Sequence, residues 1–242
     1  MKMKKVALAL GSAFMLFAGT LKAQEQPWSF GVKAGGGMSS LLGLGKKKFG
    51  NNQSDSGLAG VFEGGLTTGY AFHENVGVGL ELLYNTSGGS ATEKFQNKNN
   101  NAKANEFHIR TQNLVMPLMI KFFPMDYDPE EGILDVHLGL QGMWTFSSSV
   151  EKTASGKVQE DKTFKGEYLN PLSLGMIAGV EYEFPEIGLS LSGKYHYGFM
   201  DIFKDETKAN KYKESNGLKG VSLENTYATA SLGYNFARLM MD

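Results

Sequence analysis

The chain has 242 residues, a formal net charge of −1 and no cysteine. This excludes a disulfide framework, a thiolate zinc site, a cysteine nucleophile, a lipid-attachment cysteine and a bulk positive field for nucleic acid. Glycine supplies 31 residues and proline only six, against an ordinary glycine share of about 7%, which marks tightly packed or strongly curved sheet rather than a Pro/Gly-rich disordered chain.

The first element is a charged start, MKMKK, followed by the apolar run VALALGSAFMLFAGT and the close Leu21-Lys22-Ala23. That order predicts a secretory signal peptide over 1–23, cleaved after Ala23, and leaves one domain over 24–242. Beyond it no window approaches the ~18 consecutive apolar residues of a spanning helix, so any membrane crossing must be made by strands.

Eight segments then carry an alternating, period-2 pattern: about 28–35, 57–72, 76–86, 108–122, 133–147, 169–184, 188–200 and 225–237. Their connections alternate in length. His73-Glu74-Asn75, the middle-sized link 123–132 and Pro185-Glu186-Ile187 are the shorter ones. The links 36–56, 87–107, 148–168 and 201–224 are long and polar, with runs such as Gln96-Asn97-Lys98-Asn99-Asn100-Asn101. Up-and-down strands put successive connections at opposite ends, so this parity predicts short turns at one end and long loops at the other.

The two faces of each strand are unlike. In LSLSGKYHYGF, residues 189–199, Leu189, Leu191, Tyr195, Tyr197 and Phe199 alternate with Ser190, Ser192, Lys194 and His196. Choosing the oily face in all eight segments gives 45 positions with no charge, in a chain of which 20% is charged. The opposite face holds Lys33, Glu63, Glu81, Lys121, Asp135, His137, Glu181, Glu183, Lys194 and His196. A soluble ligand-binding barrel would reverse this arrangement. Lysine on the lipid side at the bilayer midplane costs roughly 2–4 kcal/mol, so lipid outside specifies register strongly. Aromatic residues of the oily face form two groups, as interfacial girdles do. Trp28, Tyr70, Phe72, Phe122, Tyr182, Phe184, Tyr234 and Phe236 lie near the short-turn ends, and Tyr84, Trp144, Phe146, Tyr197 and Phe199 near the long-loop ends. The fold class expected is all-β, an eight-stranded antiparallel up-and-down transmembrane β-barrel.

FGVKAGGG (30–37), Val115-Met116-Pro117-Leu118 before Lys121, and the closing Leu232-Gly233-Tyr234-Asn235-Phe236 resemble the small outer-membrane β-barrel family that includes PorT-like proteins. The resemblance spans 28–237. It implies an integral barrel of the Gram-negative outer membrane with both termini in the periplasm, in a family where PorT itself is tied to protein secretion. It also implies that the closing aromatic strand is read by the barrel-assembly machinery, although Ala237–Asp242 here follow the aromatic residue at which such signals often end. No functional residue of the family carries over.

Candidate chemistry is sparse. An eight-stranded barrel is only wide enough to be filled by side chains, so the lumen ions are expected to pair as a structural plug, with a narrow ion or proton path through His137 and His196 as the sharper reading. His108 with Ser147-Ser148-Ser149 is a candidate Ser/His pair for a lipid-modifying enzyme at the rim, without a nucleophile motif. The four histidines have no metal-ligand spacing, His73 reads as solvated, and Asp126, Asp128, Glu130 and Glu131 lack the glycine and spacing of a calcium loop. No cofactor or metal is expected. Lys46-Lys47-Lys48 and Lys204, Lys208, Lys211, Lys213 and Lys219 suit contact with lipopolysaccharide phosphates. The glycosylation-like triplets at Asn52 and Asn85 are expected to be accidental. Three functions follow: a non-enzymatic structural, adhesion or secretion-complex barrel working through its loops and a surface protein partner; a lipid-modifying enzyme; or a narrow ion or small-solute channel.

Overall fold

The computed structural model describes residues 28–42, 54–96, 102–125, 132–154, 157–160, 170–184, 186–201 and 224–237. The expected signal peptide, the acidic patch at 126–131 and the lysines at 46–48 and 204–219 lie outside them. The strands are β1 (Trp28–Leu42), β2 (Ser54–Gly57), β3 (Ala59–His73), β4 (Val76–Gln96), β5 (Ala102–Phe122), β6 (Ile133–Ala154), β7 (Lys157–Glu160), β8 (Leu172–Phe184), β9 (Leu189–Asp201) and β10 (Glu224–Asn235).

Eight of them close into an antiparallel barrel. The ladder runs β4–β3–β1–β10–β9–β8–β6–β5 and returns from β5 to β4. Closure leaves no stave with an unpaired edge, which hydrocarbon would punish at every bare amide and carbonyl. Between staves adjacent in sequence the short-turn end is tight. Glu74 and Asn75 turn β3 into β4, and Asn75 donates from its side chain to the carbonyl of Phe123 at 3.1 Å. Gly188 turns β8 into β9 with φ 65°, a left-handed conformation that a glycine adopts without a Cβ penalty.

All 45 positions of the oily face are exposed or half-buried; none is buried. Leu118, Ile120, Leu140, Leu172 and Leu232 each expose 60–65% of their surface, which in water would be an unusual apolar band and beside acyl chains is ordinary. The girdle aromatics take up the positions just above and below. Trp28 lies 4.6 Å from Tyr70, Tyr182 lies 4.9 Å from Phe184, and Tyr234 lies 5.4 Å from Phe236, measured between ring centroids. At the other end Tyr84 and Trp144 both meet Phe146, and Tyr197 meets Phe199.

Strand length departs from the expectation. The polar stretches 36–42, 87–96, 102–107 and 148–154 are strand, not loop. β4, β5 and β6 run 21, 21 and 22 residues, where about 9–11 suffice to span a bilayer. The β4–β5 ladder continues to Gln96 opposite Ala102, and β5–β6 to Asn105 opposite Ala154. β2 extends this outer sheet on β4, and β7 extends it on β6. Beyond the bilayer both faces of a strand are free to be polar, so the apolar alternation stops while backbone pairing goes on.

Two measurements test this architecture. Leu138→Lys, midway along the membrane-crossing part of β6 on the oily face, should destabilise the bilayer-embedded barrel by roughly 2–4 kcal/mol in a urea titration. Amide hydrogen exchange should show slow exchange along Gly88–Glu93 and Asn105–Thr111; rapid exchange there would mean loops.

Candidate functional site

The lumen has two unlike walls. Leu83, Val115, Met119, Met143 and Ile177 fill it from β4, β5, β6 and β8. From β9, β10, β1 and β3 come serines, threonines, asparagines and glycines, with Lys194, His196, Lys33 and Glu63 among them. Period-2 geometry places every one of these side chains inward once register is set.

Ion pairs tie the walls together. Glu81 on β4 accepts Lys194 from β9, four staves away in a ring of eight, so this pair crosses the full width of the lumen. Its other oxygen accepts Lys33 of β1 at 3.1 Å, and Lys33 also reaches Glu181 of β8. Lys121 meets Asp135 Oδ2 at 2.8 Å, while His137 Nδ1 donates to Asp135 Oδ1 at 2.6 Å. Glu183 accepts both bonds of the Asn235 amide at 3.1 Å. Glu63, with no exposed surface, accepts from Thr229 at 3.0 Å and Ser231 at 2.7 Å. His196 donates from Nδ1 to Gln141 Oε1 at 2.6 Å and stacks on Tyr227, with ring centroids 4.0 Å apart.

Inward glycines make these reaches feasible. Glu63 of β3 gets to Ser231 of β10 by passing over Gly35 of β1, which pairs with both residues. A Cβ on Gly35 would stand 2.4 Å from Ser231 Oγ. Lys121 lies over Gly79, where a Cβ would come within 2.9 Å of its Cε, and His137 lies over Gly179, where the distance to Nε2 would be 2.5 Å. Gly79 and Gly179 are therefore clearance for a neighbour's long side chain.

Nearer the long-connection end the ions give way to a neutral net. Asn113 donates to Asn85 Oδ1 at 3.3 Å and Ser87 Oγ at 3.0 Å, and Asn225 donates to the same Ser87 at 2.7 Å. Thr145 donates to Asn113 Oδ1 at 2.8 Å. Gln141, Asn235, Thr229, Ser231, Tyr227 and this net carry no charge to mark them in the sequence, although each alternates with the oily face of its strand.

The other candidates do not assemble. On the β6 side register faces His108 with Glu151, and Ser147, Ser148 and Ser149 with Gln112, Thr111 and Arg110, so none of these three serines stands opposite the imidazole; on the β4 side His108 faces Ser90. His73 is exposed in its turn. Among the described residues no three His, Asp or Glu side chains converge as metal ligands.

The family model for the outer membrane protein beta-barrel domain matches residues 22–204. The chain belongs to that family. It is an outer-membrane β-barrel protein. The chain is also similar in shape to solved barrels. The attachment invasion locus protein Ail of Yersinia pestis is 14% identical, with 88% of this chain and 100% of that one covered and a TM-score of 0.38. Neisserial surface protein A is 13% identical over 85% and 96%, with a TM-score of 0.42. OprG of Pseudomonas aeruginosa is 14% identical over 87% and 97%, with a TM-score of 0.43. No curated protein matches the chain.

Glu81→Gln should cost roughly 3–5 kcal/mol in barrel stability, because it strips Lys194 of its buried carboxylate, and Glu81→Met with Lys194→Met should recover much of that loss. Gly179→Ala should also destabilise, by displacing His137. Gly193→Ala, on the outward side of the adjacent stave with nothing within 4 Å of its would-be Cβ, should be tolerated. Equal melting temperatures for the two glycine variants would contradict the clearance role.

Proposed function

We propose that this protein is a non-enzymatic surface component of the outer membrane, a structural, adhesion or secretion-complex barrel whose working surface is the long-connection end. The observation that carries this reading is the run of three adjacent staves past the membrane, paired as far as Gln96 and Ala102. A paired sheet holds attached loops in a fixed relation at small entropic cost, and a contact surface needs that more than a channel does. In this reading the long-connection end faces outside and the short-turn end, with both termini, faces the periplasm. The two aromatic bands fix the barrel's depth in the bilayer. The charged lumen is a structural plug, since Glu81 and Lys194 meet across it.

Lipid and lipopolysaccharide are the expected surroundings of the outer rim, where Arg110 is exposed. The barrel-assembly machinery is the expected partner during insertion, through the strand ending Tyr234-Asn235-Phe236. The pairing of Ser147, Ser148 and Ser149 with residues other than His108 supports the non-enzymatic reading. Accordingly His108→Ala should leave the lipid composition of the membrane unchanged.

Mild cross-linking in native outer membranes, followed by isolation and mass spectrometry, tests the proposal. The expected result is a stoichiometric protein partner joined through 89–111 or 146–160. Replacing 91–106 with a two-residue turn should abolish that capture while the barrel still inserts. A barrel recovered alone in both cases would overturn the assignment.

A further inference from the structure

The ion pairs and hydrogen bonds of the lumen leave a particular set of polar atoms over. Among the described residues of the lumen these are Glu63 Oε2, Asn85 Nδ2, His137 Nε2, Ser192 Oγ, His196 Nε2, Asn225 Oδ1 and Tyr227 OH, each buried and without a partner; Thr68 Oγ1, on the outward face, is one more. The lumen residues of this set expose no more than 5% of their surface. A buried polar atom left unpaired costs about 1–3 kcal/mol, and the common remedy is an ordered internal water.

The positions of these atoms are as telling as their number. Counted from the short-turn ends of their strands they climb the lumen, from Ser192 and His137 through the Glu63 carboxylate, held by Ser231 and Thr229, and His196 to Asn85 and Asn225. Except for Asn85 and His137, all belong to the polar wall formed by β9, β10 and β3, beside the clearance left by Gly35 and Gly37. A cavity of about 50 Å³ lies among Lys33, Glu81, Lys121, Asp135, Glu181 and Glu183, and the string reaches its lining through Asp135, the partner of His137. A water needs roughly 10–15 Å³ of such space, so a few fit. At the upper end the string joins the net of Asn113, Ser87 and Thr111.

We propose that a file of internal waters, held by these atoms, runs the length of the lumen and conducts protons while the plug excludes other ions. The lone pair on His196 Nε2 is fixed by the Nδ1 bond to Gln141, so this nitrogen accepts from a water below or above it. His137 Nε2 stands likewise free above its bond to Asp135. The groups facing this pair are Lys194, Glu81, Asp135, Glu63 and Tyr227. Five lumen carboxylates against three lysines leave the interior negative, which favours an excess proton over a hydroxide. Each hop breaks one O–H or N–H bond and forms another on the next atom of the file, so the net transfer is one proton and one charge, with no redox change. A hydrated cation is a different case: it would have to part Glu81 from both lysines.

The test uses the full mature barrel reconstituted in liposomes that contain a pH-sensitive dye, with potassium and valinomycin present to balance charge. An acid pulse should equilibrate faster than in protein-free liposomes, in proportion to the protein loaded, while without valinomycin potassium stays inside. His196→Phe keeps a ring on Tyr227 and removes a relay atom; it should slow the flux about tenfold, the effect of one unmade hydrogen bond on a barrier. Ser192→Val is the second variant, used where the first fails to give the heat-modifiable band of a folded barrel, with the same slowing expected. Equilibration no faster than in empty liposomes would overturn the proposal. So would potassium release at a comparable rate, or unchanged proton flux in the folded variants.

Discussion

Glu81 and Lys194 approach from opposite walls of a ring of eight staves, and the rest of the interior is arranged around their meeting. An apolar exterior obliges every ion on these strands to lie inside, where water is scarce and a lone charge is costly. Two lysines and two carboxylates solve that problem as one unit: Lys194 on Glu81, Lys33 on Glu81 and Glu181. The unit couples β1, β4, β8 and β9 through their side chains, so opposite walls are held together by more than the ladder between neighbours.

Long side chains can converge at the centre only if something near the wall is absent. The barrel meets this with glycine, placed on the stave next to the residue that must reach. Gly79 lies under Lys121, Gly179 under His137 and Gly35 under Glu63. Composition and electrostatics are thus one design. A chain with fewer inward ions would need fewer inward glycines, and an aliphatic lumen could be built from leucine and valine, as the wall of Leu83, Val115 and Ile177 is here.

What the sequence discloses and what it withholds divide along the same physical line. The two faces were legible because lipid enforces them at every second residue: no charge occurs at 45 outward positions, and the lumen ions fall on the other face. The membrane imposes no rule above its surface, so the outer course of β4 to β6 carries no alternation, and polar strand reads like loop. Pairings inside the lumen were not legible for a different reason. Whether Glu63 finds Ser231 or Lys194 depends on which stave lies beside β3 and at what stagger. Those quantities join residues 63 and 231 through β1, and no local pattern encodes them. Glu183 with Asn235 and His196 with Gln141 are hidden in the same way.

The division also bears on where specificity can reside. Within the membrane nearly every residue answers to lipid, to a lumen partner or to the ladder, and a substitution there is judged by stability. Beyond the membrane the extension of β4, β5 and β6 keeps its backbone pairing. A paired sheet above the bilayer, on a base tied by Glu81 and Lys194, is an arrangement in which recognition can change without refolding the barrel.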